Sequence, residues 1–332
     1  MIKKTGYFES DVLNPYVNLA LEEWLYNRVG DDEVIMYLWR NERTVVVGRN
    51  QNIWNECNVV RLNEDNGYPA RRHSGGGAVY HDAGNLNFTF IAAKENYSVE
   101  RQLNVIIGAV RRLGLNAEKT GRNDICIDGR KFSGNAFYEG VKRCYHHGTI
   151  LIRTDVAVMN RYLNVAPDKL KSKGVSSVRS RVVNLAELDE SINVERMKEA
   201  LKESFVEEYG VEPQLICPDE NELGQIEEMK QKYSSESWLY NTSATFSCRV
   251  AGRYPWGGAE VLLDVRKGVI EECEIFTDSL EVAVFDRLKE SLRGCVFMPD
   301  TLTEVLSGVA HTETERTVTD DLMRLIKERL FD

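Results

Sequence analysis

The alternation of apolar and polar positions divides the chain into short strands and amphipathic helices. Leu19, Ala20, Trp24 and Leu25 recur at helical spacing behind an Asn14-Pro15 entry, which predicts a helix with its apolar stripe in a core. Residues 34–39 and 44–48 are rich in β-branched and aromatic side chains on either side of a polar 40–43, the pattern of a hairpin. Val45, Val46 and Val47 run on without alternating, so that strand should be covered on both faces. A short helix over 58–66, stopped by Gly67 and Pro69, precedes strands at 78–81 and 86–91. Leu103, Ile106, Ile107, Val110 and Leu113 then form one helical face that ends at Gly114.

Strands at 125–127 and 131–136 flank Asp128-Gly129, a tight turn that sets Lys131 on a rigid element. His146 and His147 precede a strand at 149–152. Neighbours on a strand point to opposite faces, so one of the two should be structural and a two-His metal site is not expected. Residues 194–209 read as an amphipathic helix with Met197, Leu201, Phe205 and Val206 inward. After a polar, acidic 219–240 and a linker near 241–247, strands at 258–265 and 269–276 should form a hairpin, followed by helices at 282–292 and 318–330. The expected division is a first domain over 1–243 and a small α+β domain over 248–332.

Composition narrows the picture. At 332 residues, two domains fit the usual domain size, and 42% hydrophobic with 28% charged residues describes a soluble globular chain. A net charge of −10 argues against a general grip on nucleic acid, which needs a basic footprint. No signal-peptide pattern or membrane-length apolar run is visible, so a cytoplasmic location is expected. The seven cysteines are scattered and never spaced CxxC, as reduced thiols would be.

Two stretches carry most of the candidate chemistry. Residues 71–85, RRHSGGGAVYHDAGN, combine an arginine pair with three glycines whose bare backbone can approach an anion. The spacing is neither GxxxxGK[ST] nor GxGxxG, so the common nucleotide loops are disfavoured. Residues 121–148 hold Asn123, Asp124, Lys131 and the histidine pair. The basic, serine-rich 169–181 is either a solvated loop or a lid carrying Arg179 or Arg181 to an anion.

Taken together these segments resemble the lipoate–protein ligase family, in the bacterial form with a C-terminal accessory domain, within the biotin and lipoate ligases. The resemblance rests on RRHSGGGAVYHDAGN, GRNDI, GRKFSGNAF, HHGT, KGVSSVRSRVVNL, YPWGG and FTDSL, in order along nearly the whole chain. It implies an α+β fold, a catalytic domain around a mixed, largely antiparallel sheet plus the small accessory domain. The implied reaction converts lipoate and Mg-ATP to lipoyl-AMP and pyrophosphate. The lipoyl group then passes to a lysine of an apo lipoyl domain, in a 2-oxoacid dehydrogenase E2 subunit or the glycine-cleavage H protein.

The resemblance further implies that Lys131 is catalytic, bridging the carboxylate and the α-phosphate. Arg72, Gly77, Ala78, Val79, Tyr80, Asn123 and Asp124 match ATP-binding positions, with Asp124 helping to hold Mg²⁺. Trp39, Val46, Arg71, Ser74, Gly75, Gly76, His81 and His147, with Lys131, are the lipoate candidates. No tightly bound prosthetic group, nucleic acid or membrane is implied, and a monomer is expected. Three readings compete: a transferase using preformed lipoyl-AMP, a ligase also accepting octanoate, and a non-catalytic binder of nucleotide or lipoyl domain.

Overall fold

The computed structural model describes residues 2–121, 123–164, 182–240 and 246–331. The stretch 169–181, with Arg179 and Arg181, lies outside the described residues. Contacts divide the chain into two bodies. The first holds Met1–Val46, Trp54–Arg71 and Val79–Leu239, and the second Val47–Ile53, Arg72–Ala78 and Tyr240–Asp332. Among the described residues no helix is long and apolar enough to cross a membrane.

The first body is built on an eight-stranded sheet. β1 (Lys4–Glu9) and β2 (Glu33–Trp39) pair in parallel, whereas β3 (Thr44–Val47), β4 (Tyr68–Arg71) and β5 (Val79–His81) form a separate three-stranded sheet. β6 (Asn85–Ala93), β7 (Glu118–Thr120), β8 (Asp124–Ile127), β9 (Arg130–Glu139), β10 (Arg143–Leu151) and β11 (Gln214–Leu215) complete the large sheet, ordered β11-β1-β2-β6-β10-β9-β8-β7. Only the pairs that β1 makes are parallel, so the sheet is mixed and largely antiparallel, as predicted.

Alternation gives this sheet two different faces. Val34, Met36, Leu38, Leu86, Phe88, Phe90 and Ile150 face a core closed by the helices Val99–Arg112 and Val194–Tyr209. Ser98 and Asn193 cap those helices, and Gly210, at φ +69°, ends the second. Each fully buried aromatic or aliphatic side chain here stabilises the fold by roughly 1.5–3 kcal/mol. On the opposite face Ile35, Tyr37, Trp39, Ile91 and Tyr145 pack with Leu19, Ala20, Trp24 and Leu25 of the helix Pro15–Arg28.

The predicted hairpin over 34–48 does not form: β2 joins the large sheet and β3 the small one. The connector is not a solvated turn, because Asn41 is fully buried. Its Oδ1 accepts from Asn18 Nδ2 at 2.9 Å and its Nδ2 lies 3.1 Å from His81 Nδ1, fixing the crossing between sheets. The polar 219–240 likewise holds a helix that was not predicted, Glu220–Ser234, opened by a capping box of Asp219 and Glu222.

The Asp128-Gly129 hairpin is present, with φ of +50° and +73° as a type I′ turn requires. Its return strand carries a bulge: Ile125 pairs Ser133 but Cys126 pairs Lys131, so Phe132 is the extra residue. The second body contains β12 (Cys248–Tyr254), β13 (Gly257–Arg266) and β14 (Val269–Thr277) in one antiparallel sheet. Its core packs Val261, Leu263 and Ile275 with Phe285, Leu288 and Leu322 from the helices Ala283–Leu292 and Glu313–Leu330. A further helix, Pro299–Ser307, was not predicted.

The histidine pair splits across the large sheet. His146 is fully buried against the rings of Phe88, Phe90 and Phe137, with Nε2 2.8 Å from Asn135 Oδ1. Burial, then the neighbouring His147 and Lys119, pull its pKa down to about 3. An unfolded imidazole titrates near 6.5, so unfolding takes up a proton between these values. The contribution is complete above pH ~6.5 and is lost as pH falls toward 3, by up to roughly 1.4 kcal/mol per pH unit. His146→Gln should therefore lower proton uptake on urea unfolding at pH 5 by about one; uptake equal to the native protein's would refute this.

Candidate active site

Register places the site residues of the first body in rows across the sheet. Gly134, Thr149, Asn87 and Trp39 lie directly opposite one another on β9, β10, β6 and β2, and therefore share a face. Ala136, His147, Thr89 and Tyr37 form the adjoining row.

Lys131 reaches this face only because of the bulge. Residues three apart on a regular strand point to opposite faces, but the extra Phe132 restores Lys131 to the side of Gly134 while burying its own ring in the core. A Cβ on Gly134 would sit 2.9 Å from Lys131 Nζ, so the ammonium lies over the glycine. Lys131 Nζ is 2.7 Å from Asp124 Oδ1, with about a third of either side chain exposed (35% and 39%). Asn123 stiffens this corner: its Nδ2 donates to Asn135 O at 3.0 Å, and the Asn135 amide N–H donates back to Asn123 O at 2.9 Å.

The adjoining row holds a buried polar chain. Trp39 Nε1 donates to Thr89 Oγ1 at 3.1 Å, and Thr89 Oγ1 donates to Glu22 Oε1 at 2.7 Å. The same oxygen lies 2.8 Å from His147 Nδ1, which places that nitrogen's proton toward the carboxylate. All four residues are buried. His81 meets Trp39 edge-on at 5.9 Å between ring centres, and Val46 and Val79 pack into the same cluster as Trp39. Tyr80, paired with Val45, sets its ring 5.8 Å from that of Tyr162, and burial raises its hydroxyl pKa.

The arginine pair is engaged with the protein's own carbonyls. Arg71 is buried and donates from Nε to Trp238 O at 3.0 Å and from Nη2 to Leu239 O at 2.7 Å. In the second body, Arg72 donates from Nη2 to the carbonyls of Gly75 and Gly77 at 2.7 and 2.8 Å, and from Nε to Ser74 Oγ at 3.0 Å. The glycines there permit close backbone contact. A Cβ on Gly75 would fall 2.3 Å from Ser279 O, and the Gly76 N–H donates to that carbonyl at 2.7 Å. At Gly77 a Cβ would meet nothing within 4 Å among the described residues, and Ala78 follows it in the same body.

Glu22, Asn87, Thr89 and Gly134 were not singled out from the sequence. Glu22 interrupts the apolar stripe three residues from both Leu19 and Leu25, and β6 alternates polar Asn85, Asn87 and Thr89 with apolar Leu86, Phe88 and Phe90. Both signals were readable. Among the described residues no group of three His, Cys, Asp or Glu could hold a metal. A single carboxylate, Asp124, suits a Mg²⁺ that takes its other ligands from phosphates and water.

Comparison with known proteins gives this arrangement a context. The family described as lipoyl protein ligase A/B catalytic domain matches residues 14–206, and that described as bacterial lipoate protein ligase C-terminus matches 243–326. A lipoate-protein ligase A of Bdellovibrio bacteriovorus is 40% identical over 321 residues, covering 95% of either chain. P. falciparum LipL1, solved in complex with lipoate, superposes with a TM-score of 0.85 at 29% identity, covering 96% of this chain and 99% of that one. A lipoate-protein ligase A bound with ATP gives 0.63 at 25% identity, over 72% and 99% of the two chains.

Gly134→Ala isolates the placement of Lys131. The added methyl displaces the flexible end of the lysine rather than backbone, so the melting temperature should change little. A lysine that acts on the reacting groups from this position would lose about tenfold or more in turnover, because small displacements of such a group are costly. Unchanged turnover in this variant would show that the lysine need not lie over position 134.

Proposed function

The chain belongs to the lipoate–protein ligase family, and on that footing we propose that it joins lipoate to a protein lysine in two steps through an acyl-adenylate. The observation that carries this reading is the partly exposed Lys131–Asp124 pair at one end of a row that runs to the buried Trp39. A charged end and an apolar end at opposite edges of one surface suit an amphiphile with a carboxylate head.

In the first step a lipoate carboxylate oxygen attacks the α-phosphorus of ATP. The bond from that phosphorus to the bridging oxygen breaks, and pyrophosphate leaves with the electron pair. Both reactants are anions, so their approach must be neutralised. In this reading the Lys131 ammonium bridges them and stabilises charge in the transition state, while Asp124 holds it in position. Mg²⁺ would be held by Asp124 and the phosphates, and supplies further neutralisation of phosphate charge. Glu22 orients His147 along the acyl chain, and Trp39, Val46 and Val79 exclude water from it.

In the second step a neutral lysine amine of the acceptor attacks the acyl carbonyl. AMP departs, the amine loses one proton, and an amide forms. The acceptors proposed are apo lipoyl domains of 2-oxoacid dehydrogenase E2 subunits or the glycine-cleavage H protein, in keeping with the family resemblance.

Pyrophosphate release from ATP, lipoate and Mg²⁺ without acceptor tests the first step. The native protein should release it only when lipoate is present, and Lys131→Ala should slow release by about a hundredfold or more. Folded native protein that releases none would sink the activation reading and leave transfer from preformed lipoyl-AMP to be measured with an apo lipoyl domain.

A further inference from the structure

Among the described residues, a pair of buried side chains on the ligand-facing side of the sheet, Asn85 and Asn87, is not fully matched by packing. Asn87 is 1% exposed, and its Oδ1 accepts from Asn85 Nδ2 at 2.7 Å. Among the described residues its own Nδ2 meets no acceptor, and Asn85 Oδ1 meets no donor. The neighbouring polar groups are directed elsewhere: Trp39 Nε1 donates to Thr89, and Thr149 Oγ1 accepts from the Gly134 amide at 3.3 Å. A dry, unpaired donor is destabilising, and buried donors are nearly always matched.

Its position gives it a use. Strands are about 4.8 Å apart, so Asn87 lies about 10 Å across the sheet from Gly134, over which the Lys131 ammonium rests. A carboxylate, four methylenes and a five-membered ring fill a span of that order end to end. With the head group at Lys131, the ring of lipoate reaches Asn87 just before Trp39.

We propose that the Asn87 side-chain amide determines acyl specificity by donating to a dithiolane sulfur at the far end of the chain. This rests on the ligase reading above. A divalent sulfur is a weak acceptor, whereas an alkyl end is none and leaves the donor unpaired in a dry site. A site built around a polar contact rejects the analogue lacking it more strongly than an apolar slot does.

The test compares lipoate with its carbocyclic analogue, in which methylenes replace both sulfurs, by kcat/KM for pyrophosphate release. Native enzyme should favour lipoate by about fivefold or more, equivalent to about 1 kcal/mol. Asn87→Val should bring the ratio near one, and Asn87→Thr, of the same shape with a hydroxyl, should restore most of it. KM for ATP should not change. If the valine variant does not fold, Asn87→Ala against Asn87→Ser measures the same contrast. Native enzyme that treats the two acids alike overturns the proposal, as does a folded Val or Ala variant that keeps the native ratio. Absence of lipoate-dependent release from native protein would instead remove the ligase reading itself.

Discussion

The period of two along the large sheet governs what each side of it can do. Once Leu86, Phe88 and Phe90 are committed to the core under two helices, Asn85, Asn87 and Thr89 must face the other way. That second face is where polar side chains, His147 of β10 and Lys131 of β9 collect. The chemistry is thus placed by the demands of the oil behind it. Lys131 departs from the rule, and the bulge at Phe132 is what releases it.

Rigidity follows from how the face is tied down. Glu22 on the first helix, Thr89, Trp39 and His147 on three neighbouring strands form one buried hydrogen-bonded chain, so helix and sheet hold a common register. In a low-dielectric interior such a chain is strong when every member is paired. Arg71 similarly fastens the distant main chain at Leu239, and Arg72 the carbonyls of its own glycine segment. The glycines after them permit a close backbone approach to Ser279 as well as an unusual local conformation. One short motif therefore has an architectural duty beside any it has toward a ligand.

Much of this was legible from residues alone. The helices at 99–113 and 194–209 and both glycine-containing hairpins carry their signals locally, in caps, turns and periodicity. What escaped was set by distant partners. The segment 40–43 looks like any polar turn until Asn18 and His81 are seen to bury Asn41. The strand at 86–91 was predicted without its two faces, although its alternation with Asn85, Asn87 and Thr89 was present. No local pattern announces a bulge, since the extra residue is defined by the strand across from it. The pairing of Glu22 with His147, 125 positions apart, is likewise a property of the fold.

The bulge also constrains how this hairpin can diverge. Residues added or removed at Asp128-Gly129 extend or shorten an exposed tip and leave the orientation of Lys131 intact. A single insertion or deletion between Lys131 and Gly134 would reverse it, turning the ammonium toward the phenylalanine-lined interior. Chains descended from this one can drift in length on one side of the lysine, while on the other a change of one residue reverses the face to which it points.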